Sequence, residues 1–340
     1  KGCSFCQGFN YDAADTATNF QRAKYICKMH KARVRANNYY FAKLYNKYGI
    51  KRQNYMNEQM TMNFLLTRDF VSCCTQSNKS TANFSEIVME KDMILDGLRY
   101  AEEHFFKPVF IHSYYNDTFI SYDEFENYRI LHIVPFKYYK KAKQVYKDVL
   151  PVMNIDDIDE TALEEDLDNI ILNIKKEYID RMSMVISLLW EKVSRFNINI
   201  LDLDDSFDLG KYENELHKVK ELVVNDINSC QVLRKEINVL IDILFLKEHA
   251  NCGAGEKNIT FAPDGNLYVC PAFYSDETEL PIGNLKDGLV NMKNAHLYTQ
   301  EYAPLCNVCD AYHCANCIYH NKKKTKEVNV SSAIQCKKAH

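Results

Sequence analysis

Between residues 60 and 250, short apolar or β-branched runs alternate with stretches whose apolar positions recur at helical spacing. "MNFLL" at 62–66 predicts a strand, "VMEKDMILDGLRYAEEHF" an amphipathic helix after it, and "PVFIH" at 108–112 a second strand. "ILHIVP" at 130–135, "NIILNI" at 169–174 and "NINILDL" at 197–203 predict further strands, and helices are expected over 176–195 and 210–249. The acidic stretch "NIDDIDETALEEDLDN" at 154–169 reads as a solvated connection leading into a strand. Strands separated by helices predict an α/β fold with a parallel sheet, open or curled into an incomplete (β/α) barrel-like core.

The pattern changes at both ends. Residues 20–52, "FQRAKYICKMHKARVRANNYYFAKLYNKYGIKR", contain no acid, and Phe20, Ala23, Ile26 and Met29 step at helical spacing, so this stretch is expected to be a basic helix. Residues 251–340 are rich in turns. Asp264-Gly265 predicts a hairpin between "NITF" and "LYVC". This segment has too few apolar residues for an independent core, and such modules are usually held together by metal. Three regions result, 1–55, 56–250 and 251–340.

Of the 340 residues, 46% are hydrophobic and 12% aromatic, which argues against disorder. A formal charge of −4 gives no reason to expect a nucleic-acid partner. For the basic helix, a solvated face or contact with an acidic leader peptide is favoured over RNA. No apolar run approaches the roughly 18 residues that span a bilayer, and Val239 to Leu246 is broken by Asp242. No signal-peptide pattern is present at the start as given, so a cytoplasmic protein without a membrane partner is expected. The start at Lys1 is expected to be that of a fragment or trimmed product.

The chain has thirteen cysteines. In a reduced compartment, thiols clustered at short fixed spacings hold metal more often than they form disulfides. The C-terminal set is Cys252, Cys270, Cys306, Cys309, Cys314, Cys317 and Cys336. A C-x-x-C step lets two thiolates reach one metal from a tight turn. Four-thiolate sites suit tetrahedral zinc or a cubane iron–sulfur cluster, and spacing alone does not choose between them. One zinc would use four of the seven and leave three as ordinary buried cysteines. Two cubanes would use all seven, four on one and three on the other, with one iron open to a substrate atom.

"CGAGEKNITFAPDGNLYVC", followed by C-x2-C-x4-C-x2-C and a last cysteine, resembles the SPASM domain of radical SAM peptide-modifying enzymes. "PLCNVCDAYHCANCIYHNKKKTKEVN" is similar to the CXXX-repeat peptide maturases of ribosomal-peptide modification systems. The resemblance covers about residues 60–340 and is specific in the final 90. It implies a C-terminal cysteine-rich SPASM-type domain with two auxiliary [4Fe–4S] clusters, one on Cys252, Cys270 and Cys317, the other on Cys306, Cys309, Cys314 and Cys336. It also implies a precursor peptide rich in cysteine repeats, a companion radical SAM enzyme and an electron donor as partners. The gaps of four and two residues around the third cysteine of the run are shorter than the general SPASM pattern has. A fourth ligand for the first cluster is not evident; Cys230, on an expected helix, reads better as a core thiol.

Cys3-x-x-Cys6 followed by Cys27 in "CKMHKA" repeats Cys314-x-x-Cys317 followed by Cys336 in "CKKAH", at intervals of 21 and 19 residues. The first 50 residues therefore resemble the truncated SPASM tail of a companion enzyme, with Cys3, Cys6 and Cys27 as candidate ligands.

The C-x3-C-x2-C motif of a radical SAM core is missing: between residues 56 and 250 only Cys73, Cys74 and Cys230 occur, and no Gly-Gly-Glu is present. Cys73-Cys74 follows the first strand, where the motif would lie, but adjacent thiols point apart, and the pair reads as packing residues. Cys3-Ser4-Phe5-Cys6 matches the last half of the motif but lacks the following strand and Gly-Gly-Glu. A S-adenosylmethionine site is thus incomplete, and the core reads as degenerate. The leading expectation is a peptide maturase. The alternatives are a non-catalytic peptide-recognition or electron-relay subunit, or a zinc-stabilised interaction module. His313 and His340 stand near enough to the ligand cysteines to substitute at a metal, but a role hydrogen-bonding beside the ligand thiols is expected instead. No paired carboxylates, nucleophile elbow or phosphate loop stands out, and Gly253-Ala254-Gly255 lacks the strand and helix of a dinucleotide fingerprint.

Overall fold

β1 (Thr61–Leu65) leads through α1 (Lys91–Glu103) to β2 (Lys107–Ile111), and β3 (Leu131–Pro135) leads through α2 (Tyr139–Val145) to β4 (Asp148–Asn154). β5 (Leu167–Lys175) continues through α3 (Met182–Leu188) to β6 (Val193–Leu201), and α4 (Leu209–Cys230) to the short β7 (Glu236–Ile237) and α5 (Asp242–Phe245). β8 (Asn258–Phe261) joins the other edge of β1 in parallel, then turns back into β9 (Asn266–Tyr268) and, beyond α6 (Pro271–Tyr274), β10 (Gly283–Asn284). The computed structural model describes residues 60–76, 87–117, 123–158, 166–230, 235–247, 249, 251–292 and 294–340. The candidates Cys3, Cys6 and Cys27 and the basic stretch 20–52 lie outside the described residues.

The chain is an α/β fold with a ten-stranded, mostly parallel sheet in the order β10-β9-β8-β1-β2-β3-β4-β5-β6-β7. From β1 to β7 each strand pairs in parallel with its successor, and the order never reverses. Because parallel crossovers are right-handed, an order that always advances one way puts the connecting helices on one face. Phe64 and Phe261 point to that face, edge-on at 5.7 Å. Gly97 of α1 lets the helix approach them: a Cβ there would stand 2.5 Å from the Phe64 ring and 3.0 Å from that of Phe261.

The opposite face is concave. In a flat sheet β1 and β6 would lie roughly 24 Å apart, five strand spacings. Instead, the loop after β1 is tied to both β5 and the end of β6. Asn173 Nδ2 donates to Ser72 O at 2.8 Å, and Asp202 N donates to Thr75 O at 3.0 Å. The sheet therefore curls, and the loop bridges its ends.

The Asp264-Gly265 hairpin forms as its turn chemistry predicts, with Gly265 at φ +81° and Asp264 Oδ1 accepting from Asn266 N at 3.1 Å. β8 and β9 pack into the same core as β1, β2 and α1. Three elements differ from the sequence reading. β4 was not expected, because Pro151 interrupts its apolar run, yet Pro151 pairs in register with Val134. The helix expected over 176–195 ends at Leu188, and β6 starts at Val193, opposite Leu167 of β5. The helix expected over 210–249 ends at Cys230. Beyond it, Arg195 on β6 holds Glu236 at 2.6 Å and Asp242 at 2.8 Å, drawing the chain into β7. Among the described residues no helix is long and apolar enough to cross a membrane.

Candidate metal centres

The cysteines of the C-terminal segment share a local geometry. Cys270 immediately precedes α6, and the N–H groups of Ala272 and Phe273 point at its sulfur. Cys317 precedes α7 (Ile318–Thr325), with the N–H groups of Tyr319 and His320 on its sulfur. The same step recurs from Ala254 to Cys252, from Asn316 to Cys314, and from Ala311 to Cys309, where N–H to Sγ measures 3.4 Å. A neutral thiol is a weak acceptor, whereas a metal-bound thiolate is stabilised and tuned by such donors. These turns suit thiolates.

Cys306, Cys309, Cys314 and Cys336, the last in α8 (Ala333–Ala339), lie within one another's electrostatic field. Burial pushes Cys306 and Cys314 up and, with the neighbouring thiols, takes Cys336 up to about 11. Uncharged thiols are therefore stable here without metal, and metal binding would release their protons. A buried polar frame holds the group. The Cys306 thiol donates to Ser331 Oγ at 3.3 Å, and Ser331 Oγ and Asn321 Nδ2 donate to Asn316 Oδ1 at 2.8 and 3.1 Å. Gln335 Nε2 donates to Asn321 Oδ1 at 2.6 Å. Two basic side chains lie beside the thiols, Lys338 with its pKa lowered by burial. His340 Nε2 lies 3.6 Å from Cys309 Sγ, a hydrogen bond that raises the histidine's pKa, and Lys338 lies within the field of Cys314. Burial lowers the pKa of His313 to about 4.

Cys252, Cys270 and Cys317 form a second gathering, each raised by burial first and Cys252 to about 11. Cys252 is exposed to a cleft, yet the protein mass around it still desolvates it. Two thiols that the sequence reading assigned to packing join this group. Cys73, pushed up to about 12 by burial, lies in the field of Cys252; Cys74 lies in the fields of Cys270 and Cys317. Cys73 also packs against the core. The available signal was position, just after the first strand, but only the curled sheet carries that loop over the C-terminal segment. Cys230 stands apart, exposed at the end of α4, with its thiol 3.9 Å from Asp226.

Among the described residues, no three His, Cys, Asp or Glu side chains converge tightly enough for a single metal ion. Zinc–thiolate bonds of about 2.3 Å would bring four sulfurs to about 3.8 Å of one another. A cubane sets each thiolate on a different iron and spreads its ligands around a larger core, and an all-thiolate donor set is soft enough for it. The chemistry of the thiol donor set suits such a cluster.

A cleft of about 1360 Å³ separates the concave sheet face from the cysteine segment. Cys73, Cys74, Cys252, Cys270, Cys314 and Cys317 line it, as do Asn63, Asn197 and Asn199. No family model matches the chain, and no curated protein matches it. Among solved structures the chain is similar to SuiB of Streptococcus suis, seen bound to its precursor peptide SuiA. The two are 13% identical, the match covers 95% of this chain and 82% of that one, and the TM-score is 0.49.

Proposed function

We propose that the chain is an iron–sulfur protein of the radical SAM/SPASM type, acting in the modification of a ribosomally made peptide with cysteine repeats. One observation carries this reading: seven C-terminal thiols stand in two groups, most with backbone N–H donors aimed at sulfur, and thiols of both line a cleft over the concave sheet face. Cys252, Cys270 and Cys317 would hold one [4Fe–4S] cluster, and Cys306, Cys309, Cys314 and Cys336 the other. Such clusters supply electron transfer when bound. The chain's own residues desolvate the thiols, orient them through the N–H donors, and set Lys338 and His340 against the negative charge that ligation creates. Asn63, Asn197 and Asn199 offer amide donors and acceptors to an extended peptide in the cleft.

The lost C-x3-C-x2-C motif favours a second reading, in which the chain presents the peptide or relays electrons to a companion radical SAM enzyme. Titrating the anaerobically reconstituted chain into a fluorescent cysteine-repeat peptide tests the peptide role. Saturable binding is expected; no binding by iron-loaded protein overturns it. Release of 5′-deoxyadenosine from S-adenosylmethionine under a strong reductant supports the enzyme, and its absence supports the adaptor.

A further inference from the structure

We infer that Cys74 is the fourth thiolate of the first group, so that the ligand set is Cys74, Cys252, Cys270 and Cys317. This rests on the iron–sulfur reading and adds to it a ligand from the sheet rather than from the cysteine-rich segment.

The placement of the loop carries the inference. Residues 71–76 leave β1 and are pinned by three hydrogen bonds to three different strands or strand ends. Val71 N donates to His112 O at 2.8 Å, Asn173 Nδ2 to Ser72 O at 2.8 Å, and Asp202 N to Thr75 O at 3.0 Å. A loop held so closely presents its side chains in a fixed direction, as a ligand must be presented. That direction is the cleft bordered by Cys252, Cys270 and Cys317, and the Thr75 hydroxyl reaches the Cys317 sulfur. Of the two adjacent cysteines, Cys74 lies in the fields of two of the three thiols, Cys270 and Cys317. Cys73 lies in the field of Cys252 alone among the three and packs into the core beside β1. Both cysteines line the cleft, but Cys73 packs against the core while Cys74 does not, so Cys74 is the one placed to join the set.

Two consequences follow. With four thiolates, no iron of this group is left open to a substrate atom, and the group serves electron transfer or structure rather than substrate ligation. Ligation also cross-links the loop after β1 to the C-terminal segment, so loading fixes the segment against the sheet.

The test compares the full, anaerobically reconstituted chain with Cys74→Ala, Cys74→Ser and Cys73→Ala, reading iron per chain and electron paramagnetic resonance. The wild type and Cys73→Ala are expected to hold about eight irons through mild oxidation. Cys74→Ala is expected to lose about one iron on oxidation and show a three-iron signal, or to fall to about four irons if that whole cluster is lost. Cys252→Ala must perturb the same spectrum, and matched circular dichroism excludes misfolding; Cys74→Ser keeps the size and is expected to behave as the alanine variant does. If both Cys74 variants match the wild type in iron and spectrum, the inference fails while the iron–sulfur reading stands. A wild type that takes up no iron removes both.

Discussion

Asn316 lies between Cys314 and Cys317 and holds the frame of the four-thiol group together, so Asn316→Ala is the most informative single perturbation of that frame. Its backbone has φ +38°, a left-handed conformation that asparagine tolerates and alanine resists by about 1 kcal/mol. Its Oδ1 accepts from Ser331 at 2.8 Å, from Asn321 at 3.1 Å and, weakly, from the Cys306 thiol at 3.7 Å, and its Nδ2 donates to Gln300 Oε1 at 2.8 Å. Most lost partners keep a second one: Asn321 Nδ2 still donates to Val328 O at 3.0 Å, Gln300 Oε1 still accepts from Asn251 at 3.3 Å, and the Cys306 thiol still donates to Ser331 Oγ, whose own proton must turn to a new acceptor. The loss is therefore about 1 kcal/mol per hydrogen bond rather than the larger penalty of orphaned groups. The three N–H and O–H bonds and the backbone together give about 4 kcal/mol, with the weak thiol contact adding little, a large part of the ~5–15 kcal/mol typical of a domain. Asn316→Gly relieves the backbone and should lose about 3 kcal/mol. The assay is urea unfolding of the reconstituted full chain without oxygen, followed by circular dichroism. Wild-type midpoints for both variants would refute the reasoning; equal losses in alanine and glycine would refute only its backbone part.

Two further outcomes are expected. Gly97→Ala places a methyl 2.5 Å from the Phe64 ring, so α1 must shift from the sheet at a cost of about 1–3 kcal/mol, read from the urea midpoint. His132, hydrogen-bonded to His112 at 3.1 Å and stacked on Tyr146, is held near a pKa of about 3 by burial. The unfolded chain, with its histidine near 6.5, takes up the proton first, so stability is full above about pH 6.5 and falls below it by about 1.4 kcal/mol per pH unit. Between pH 7 and 5 the loss from this residue is roughly 2 kcal/mol, and His132→Gln should remove it from the pH dependence of the urea midpoint.

What could be read from the chain was local. β1, β2, β3 and the Asp264-Gly265 hairpin were legible because apolar runs and turn residues mark them directly. β4 was hidden by Pro151, and the early start of β6 by a helical pattern that pairing with β5 overrides. The cysteine spacing made the C-terminal segment a candidate metal module, and the fold brings Cys306, Cys309, Cys314 and Cys336 together. Cys73 and Cys74 were not legible as partners of Cys252, Cys270 and Cys317. Their meeting depends on β8 pairing with β1 and on the loop after β1 being tied to β5 and β6, contacts between residues far apart in the chain. The asparagines of the concave face were missed for a related reason: only in-register pairing, Asn173 opposite Asn199 and Asn154, lines them up.

Metal and acid-labile sulfide analysis of the purified, anaerobically reconstituted full chain tests the central claim most directly. Two thiol-held cubanes predict about eight irons and as many sulfides per chain, with little zinc. Colourless protein carrying zinc and no sulfide would contradict the account.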